Sequence, residues 1–295
     1  MAVERSVTLR ASNGESVRFG AAGQFVFVGI SGQSIPAVTV FSSQAAGQHG
    51  AYRDEALLEP RELGLSGWVQ GGSRREMDEG LRTLCRVLGQ LSDDLTITYQ
   101  NTAGTYVTYG TAGAPVEYGE RVFRRGLHRT PVTVQLTCCR PLWYAPQWTT
   151  EQLRYNARGL KFGLTLPTTL GVGGYRRTVE NDSAARLPIR LDIIGPAALP
   201  VIWNKTTGKR LALTKPLLAG ERLTIDTDPD HTSVLYTDLY GNTVSALGYV
   251  DAQSDPDSFA FLQLAPGKNE LAFESGDDLQ NATVTLRWRQ AWTGV

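Results

Sequence analysis

The sequence predicts a mainly β protein of two domains with one long helix, in the first of them. Three observations carry this. Short runs of alternating apolar and polar residues, bounded by Gly, Pro, Asn and Asp, recur along the chain. Only residues 73–89 combine helical periodicity with a start signal. At 295 residues the chain exceeds one typical core, and Pro141-Leu142-Trp143-Tyr144-Ala145-Pro146 divides halves of different character. The predicted domains are 1–145, a β domain with the helix, and 146–295, a β-sandwich.

Residues 6–10, 24–30 and 37–41 read as strands, with Asn13-Gly14 as a hairpin turn after the first. Periodicity vanishes over residues 42–60. A loop this long is functional or meets a partner, so it reads either as a mobile surface loop or as an arm that orders against a neighbouring subunit. Its candidate contacts are His49, Tyr52, Arg53, Leu57 and Leu58.

Residues 61–70 read as a strand leading into the helix. Ser73 and Glu76 form an S-x-x-E capping box, in which each side chain satisfies an orphan backbone N–H. Met77, Leu81, Leu84, Leu88 and Leu91 fall on one stripe with Cys85 at its edge, and Gly89 is suited to a left-handed cap. The stripe is expected to lie on a sheet, leaving the face around Arg75, Arg82 and Arg86 exposed. Residues 95–99 and 106–109 flank a turn at 101–104. Residues 116–129 are extended and polar, and Arg121, Arg124, Arg125 and Arg129 mark a solvated or subunit-facing edge, with a phosphate site as the alternative. Pro131 opens a clear strand over 132–138.

Residues 149–174 are less patterned. Beyond them eight alternating segments (187–194, 200–203, 209–213, 222–226, 233–236, 259–264, 268–273 and 282–288) fit a sandwich or jelly roll.

Acidic and basic residues balance at 29 each, and the first 143 residues hold 14 Arg, no Lys and 13 acids. Neutrality argues against tight nucleic-acid binding, whose affinity comes largely from neutralising phosphates. No apolar run approaches 18 residues and no signal peptide is apparent, so neither membrane insertion nor export by the usual route is expected.

Motifs for chemistry are incomplete. Asp226, Asp228 and Asp230 begin like a calcium loop, but His231 stands where glycine is needed and Thr237 where the bidentate glutamate belongs. Asp251, Asp255 and Asp257 make a second acidic turn. Gly71-Gly72-Ser73-Arg74 lacks a phosphate-loop frame, and Gly171-Val172-Gly173-Gly174 lacks the strand and helix of a dinucleotide loop. His49, His128 and His231 have no nucleophile or carboxylate at a diagnostic spacing. Cys85, Cys138 and Cys139 read as packing residues. No catalytic, metal or cofactor residue is assigned. Among the aromatics of the second half, Tyr240, with Asn242 beside it in a turn, is the candidate for stacking on a sugar.

Several runs form an ordered set. They are Cys139-Arg140-Pro141-Leu142-Trp143-Tyr144, Asn181 through Pro188 and Ile189, Gly195-Pro196-Ala197 through Asn204 and Thr207-Gly208, Gly220-Glu221-Arg222-Leu223-Thr224-Ile225-Asp226-Thr227, and Leu264-Ala265-Pro266-Gly267-Lys268-Asn269. The set resembles the distal tail (Dit) family of siphophages, departing at Arg140, where an acid is common, and at Asp182. The resemblance implies a split-barrel, tail-tube-like first domain and a galectin-like or carbohydrate-module-like sandwich. It further implies a hexameric ring joining the tail tube to the tail tip or baseplate and receptor-binding proteins, with DNA passing through the lumen. The location implied is the virion tail tip, after assembly in the host cytoplasm. The interface candidates would then be the 42–60 loop, the arginine face of the helix and residues 116–129. The competing reading is a carbohydrate-binding protein that attaches to host surface glycans.

Overall fold

A computed structural model of the chain describes residues 5–47, 49–90, 93–124, 126–156, 174–251, 262–275 and 282–295. It resolves into two compact units, residues 1–146 with 292–295, and residues 147–291.

The first unit is a split barrel. Its strands are β1 (Ser6–Arg10), β2 (Ser16–Phe19), β3 (Phe25–Ser31), β4 (Val38–Ser43), β5 (Tyr52–Leu58), β6 (Arg61–Gly71), β7 (Leu95–Gln100), β8 (Thr105–Ala112), β9 (Glu117–Tyr118), β10 (Val122–Arg124), β11 (Leu127–Cys138) and β12 (Trp143–Tyr144), with helix α1 (Arg74–Leu88) between β6 and β7. The barrel order is β2-β1-β7-β8-β11-β6-β3. β11 and β6 pair over eleven residues, from His128↔Gly71 to Cys138↔Arg61. By contrast β8 meets β11 at only two positions. At the opposite seam Gly20 bridges β2 to β3, donating its N–H to the Phe25 carbonyl and accepting from Phe27. Two well-paired sheets are thus joined by two thin seams.

Alternation explains which residues fill the space between them, since successive strand side chains point to opposite faces. Val7, Leu9, Ile97 and Tyr99 face Leu63, Leu65, Val134 and Leu136, all buried. The helix adds Leu84, Val87 and Leu88 to this core, with Leu81 half-buried. Buried Gly80 makes this close contact feasible, since a Cβ there would stand 2.8 Å from a Val69 methyl. The expected stripe therefore packs on β6, although Leu91 lies outside the described residues and Val87 replaces it in the buried set.

Both helix ends differ in detail from expectation. The Glu76 N–H donates to Ser73 Oγ at 3.2 Å, but the Glu76 carboxylate accepts from Gly72 N, one residue before the cap. Gly89 closes the helix at φ −79°, outside the left-handed region, with its N–H on the Cys85 carbonyl.

The three thiols are free, and only Cys138 is buried. Cys85 and Cys139 are exposed, so two of the three cysteines expected to pack in the interior do not. Burial pushes the Cys138 thiol up to about 12. Cys138 is expected to react with an aromatic disulfide reagent at pH 8 only after unfolding, while Cys139 reacts in the native protein; absorbance titration with and without denaturant checks this. Because the folded pKa is raised, Cys138 favours folding below the unfolded thiol value of 9.0, and this is lost as pH rises from there towards 12.

The second unit contains β13 (Thr149–Asn156), β14 (Gly174–Asn181), β15 (Arg190–Ile194), β16 (Val201–Asn204), β17 (Lys209–Ala212), β18 (Arg222–Asp226), β19 (Ser233–Thr237), β20 (Thr243–Ser245), β21 (Gly267–Glu274) and β22 (Thr283–Trp288), in the order β17-β16-β21-β14-β13-β22-β15-β18-β19-β20. β13 passes from one face to the other: residues 149–153 pair with β22 and residues 154–156 with β14. The stretch that looked unpatterned thus supplies the strands joining the two sheets. Half of the segment expected over 259–264, residues 259–261, lies outside the described residues, as do Gly171-Val172-Gly173, Asp255 and Asp257.

The sequence runs that carried the family resemblance have structural work to do here. Asn181 Nδ2 donates to the Ala185 and Leu264 carbonyls while its Oδ1 accepts from Ser183 N. Asn204 donates to the Gln263 carbonyl and to Asn269 Oδ1, and Asn269 Nδ2 donates to the Ala265 and Gly267 carbonyls. Thr227, fully buried, bonds both the N–H and the carbonyl of Ile189. Each is a buried polar group that fixes a turn by satisfying backbone groups water cannot reach. The acidic turn is likewise local: Asp226 and Asp228 accept from the N–H groups of Asp228 and Asp230. No group of three or more potential metal ligands occurs among the described residues, and none of their helices is long and apolar enough to cross a membrane.

Candidate subunit interface

Residues 42–60 are not an irregular loop. Most of them belong to a β-hairpin, β4 paired with β5 from Val38↔Leu58 to Ser43↔Tyr52, with a bulge after Phe41. It forms a two-stranded sheet separate from the barrel. Cross-strand partners share a face, so one face carries Val38, Val40, Ala56 and Leu58 and the other Thr39, Phe41, Glu55 and Leu57. Val40 is 54% exposed and Phe41 49%. A two-stranded ribbon is at best marginally stable in water, and this one exposes apolar side chains on both faces. Of the expected contacts, Tyr52, Arg53 and Leu57 lie exposed on β5, Leu58 is half-buried, and His49 sits at the exposed tip.

The root of this arm is firmly anchored. Gly32, at φ +80°, turns the chain out of β3, and a Cβ there would fall 1.9 Å from the Glu62 carbonyl oxygen. On the returning strand, Arg61 is 1% exposed and has no carboxylate partner among the described residues. Instead its guanidinium donates to four carbonyls, Gly32 and Ser34 at 2.5 Å, Thr293 at 2.7 Å and Pro141 at 2.8 Å, and lies 5.5 Å from the Trp143 ring centre. Burial lowers its pKa. Beside it the Val295 N–H and the Trp143 indole both donate to the Gln33 carbonyl, and Trp292 packs edge-on against Tyr106. Residues 292–295 therefore complete the first unit, a role that no local pattern signals.

The arginines of the helix face are mostly engaged. Arg75 pairs with Glu79 at 2.9 Å, Arg86 with Glu15 at 2.9 Å, and Arg121 reaches Asp78 at 3.1 Å. Arg82 makes no ion pair among the described residues. It borders a cleft of about 310 Å³ between α1 and β9, lined also by Leu81, Cys85, Tyr118, Arg121 and Thr130. There the Tyr118 hydroxyl and Cys85 Sγ are 2.7 Å apart, and burial, then this bond, pushes Tyr118 up to about 12. Arg125 and the Arg124 side chain lie outside the described residues. Arg129, expected at an open edge, is half-buried with its guanidinium 4.8 Å from the Trp68 ring centre.

In the second unit Tyr240 tips the β19–β20 hairpin and is 91% exposed. The Asn242 amide is committed to the turn, donating to Asp238 Oδ2 at 2.9 Å. Two other aromatics of this unit, Tyr236 and Trp288, are buried.

Residues 182–292 match the family model described as the siphovirus-type tail component, C-terminal domain. Among solved structures, that of SPP1 Dit (gp 19.1), described as a paradigm of the hub adsorption apparatus of phages infecting Gram-positive hosts, aligns over 97% of this chain and 98% of its own at TM-score 0.62 and 18% identity. A chain of the phage P2 baseplate in its activated conformation with Ca aligns over 100% of both at TM-score 0.54 and 12% identity. The corresponding baseplate with Sr gives TM-score 0.55 over 99% and 100%, also at 12%. No curated protein sequence matches. The resemblance carried by the ordered turn runs is thus borne out: the chain has the fold of the siphophage distal tail (Dit) proteins, and its residues 182–292 match the siphovirus-type tail component C-terminal domain.

Proposed function

We propose that this chain is a structural virion protein, a distal tail adaptor. In this reading its first unit closes into a ring of six copies that joins the tail tube to the tail tip or baseplate and to receptor-binding proteins. The ring assembles in the host cytoplasm and stays in the virion tail tip. Its mechanism is assembly. The observation that carries the reading is the β4–β5 arm, a ribbon with exposed apolar residues on both faces, bonded at its root through Arg61 and, among the described residues, contributing none to the core of its own chain. A closed ring needs unlike patches that meet head to tail, and an arm supplies one of them. The 14 basic and 13 acidic residues of the first 143 suit a lumen that DNA crosses without being held.

Replacing residues 40–56 with a short Gly/Ser linker tests this by multi-angle light scattering. The parent is expected near six times the 32.2 kDa chain mass, and the variant as a monomer melting within about 2 °C of the parent, as expected when no buried contact is lost. An intact ring in the variant places closure on other surfaces. A parent monomeric at micromolar concentration overturns self-assembly.

A further inference from the structure

We propose that the arm of one copy seats in the cleft between α1 and β9 of the next. The inference rests on the ring reading and specifies the two patches that meet. The arm face bearing Phe41 carries Glu55 directly opposite it and Leu57 two residues along β5. It thus presents an aromatic ring, an aliphatic side chain and a carboxylate together, with Phe41 and Leu57 both 49% exposed. Glu55 makes no ion pair among the described residues.

The cleft has the complementary character. Leu81, Cys85 and the Tyr118 ring give it an apolar floor, and its 310 Å³ accommodates an aromatic side chain. Arg82, adjacent to Leu81, stands at its margin as a cation whose helix neighbours Arg75 and Arg86 already hold carboxylates. An apolar anchor entering a recess beside one opposite-charge pair is the pattern expected at the centre of a protein interface. Each chain carries one arm and one cleft, so the contact is directional and propagates from copy to copy until it closes.

Charge exchange in the full chain tests the pairing. Glu55→Arg and Arg82→Glu each remove one partner at an exposed position, so the circular dichroism spectrum and melting temperature are expected to stay unchanged. Each is expected to weaken association roughly tenfold or more by sedimentation, and the double variant to recover most of it. A second readout uses Leu57→Cys in a Cys139→Ser background with a short bismaleimide. Linkage to Cys85 of the neighbouring copy is expected to give a ladder of covalent multimers, where a two-fold contact would stop at dimers. If the parent forms a ring while the double variant shows no recovery and cross-linking gives no multimers, the arm-to-cleft pairing is wrong and the ring reading stands. A parent that stays monomeric overturns both.

Discussion

Arg61→Met is expected to destabilise the first unit by about 3 kcal/mol or more, because it removes every donor from a point where four carbonyls converge. A buried acceptor left without a partner costs on the order of 1–3 kcal/mol, and methionine fills the volume without offering an N–H. The guanidinium is itself expensive to bury, as its lowered pKa records, so the native arrangement depends on all four bonds being made. Arg61→Lys is expected to recover only part of the loss. An ammonium has three donors on a compact head and cannot reproduce a planar fork directed at four carbonyls on three separate chain segments. For a unit of this size the Met variant is expected to melt roughly 10 °C below the parent. A shift under about 2 °C in thermal denaturation would show that water takes over the carbonyls and that Arg61 is not what anchors the arm.

The second large effect is expected from Leu84→Asp. Leu84 is fully buried in the core shared by α1 and the facing sheets, so the substitution removes an aliphatic side chain and places a carboxylate in an apolar core. The loss of packing is worth about 2–5 kcal/mol. Burying the acid adds several more, which together approach the whole stability of a typical domain. The first unit is expected to be unfolded or insoluble at 25 °C. Glu79→Gln on the opposite face breaks only the exposed pair with Arg75 and is expected to change stability by less than about 0.5 kcal/mol. Parallel melts of the two variants check the claim, and a Leu84→Asp protein melting with the parent would sink it.

The helix was legible because its signals are local: a capping box, a 3–4 spacing and a polar complement lie within seventeen residues. The barrel strands were legible for the same reason, each alternating between one wet and one dry face. β5 was not, because alternation reports a difference between two faces and the arm is exposed on both. The strands β13 and β14 flank residues outside the described set, and their polar runs, Thr-Thr-Glu-Gln and Arg-Arg-Thr, conceal the buried Leu153 and Val179. Arg61 reads in sequence as a charged residue at a strand edge. What makes it central is a carbonyl 232 positions away, and no periodicity extends that far. For a related reason composition located the arginine-rich helix face, but only the geometry separates Arg82 from neighbours that are already paired.

The return of residues 292–295 to the first unit also orders events in time. Synthesis proceeds from the N-terminus, so Arg61, the arm and the barrel strands leave the ribosome long before Thr293 exists. At about 5–20 residues per second, the intervening second unit delays that last acceptor by on the order of ten to thirty seconds. Throughout that interval the arm root lacks the Thr293 carbonyl, the Val295 N–H on Gln33 and the Gly294 backbone that lies against Ser34 and Ile35. The first unit reaches its final form only once translation has passed the second.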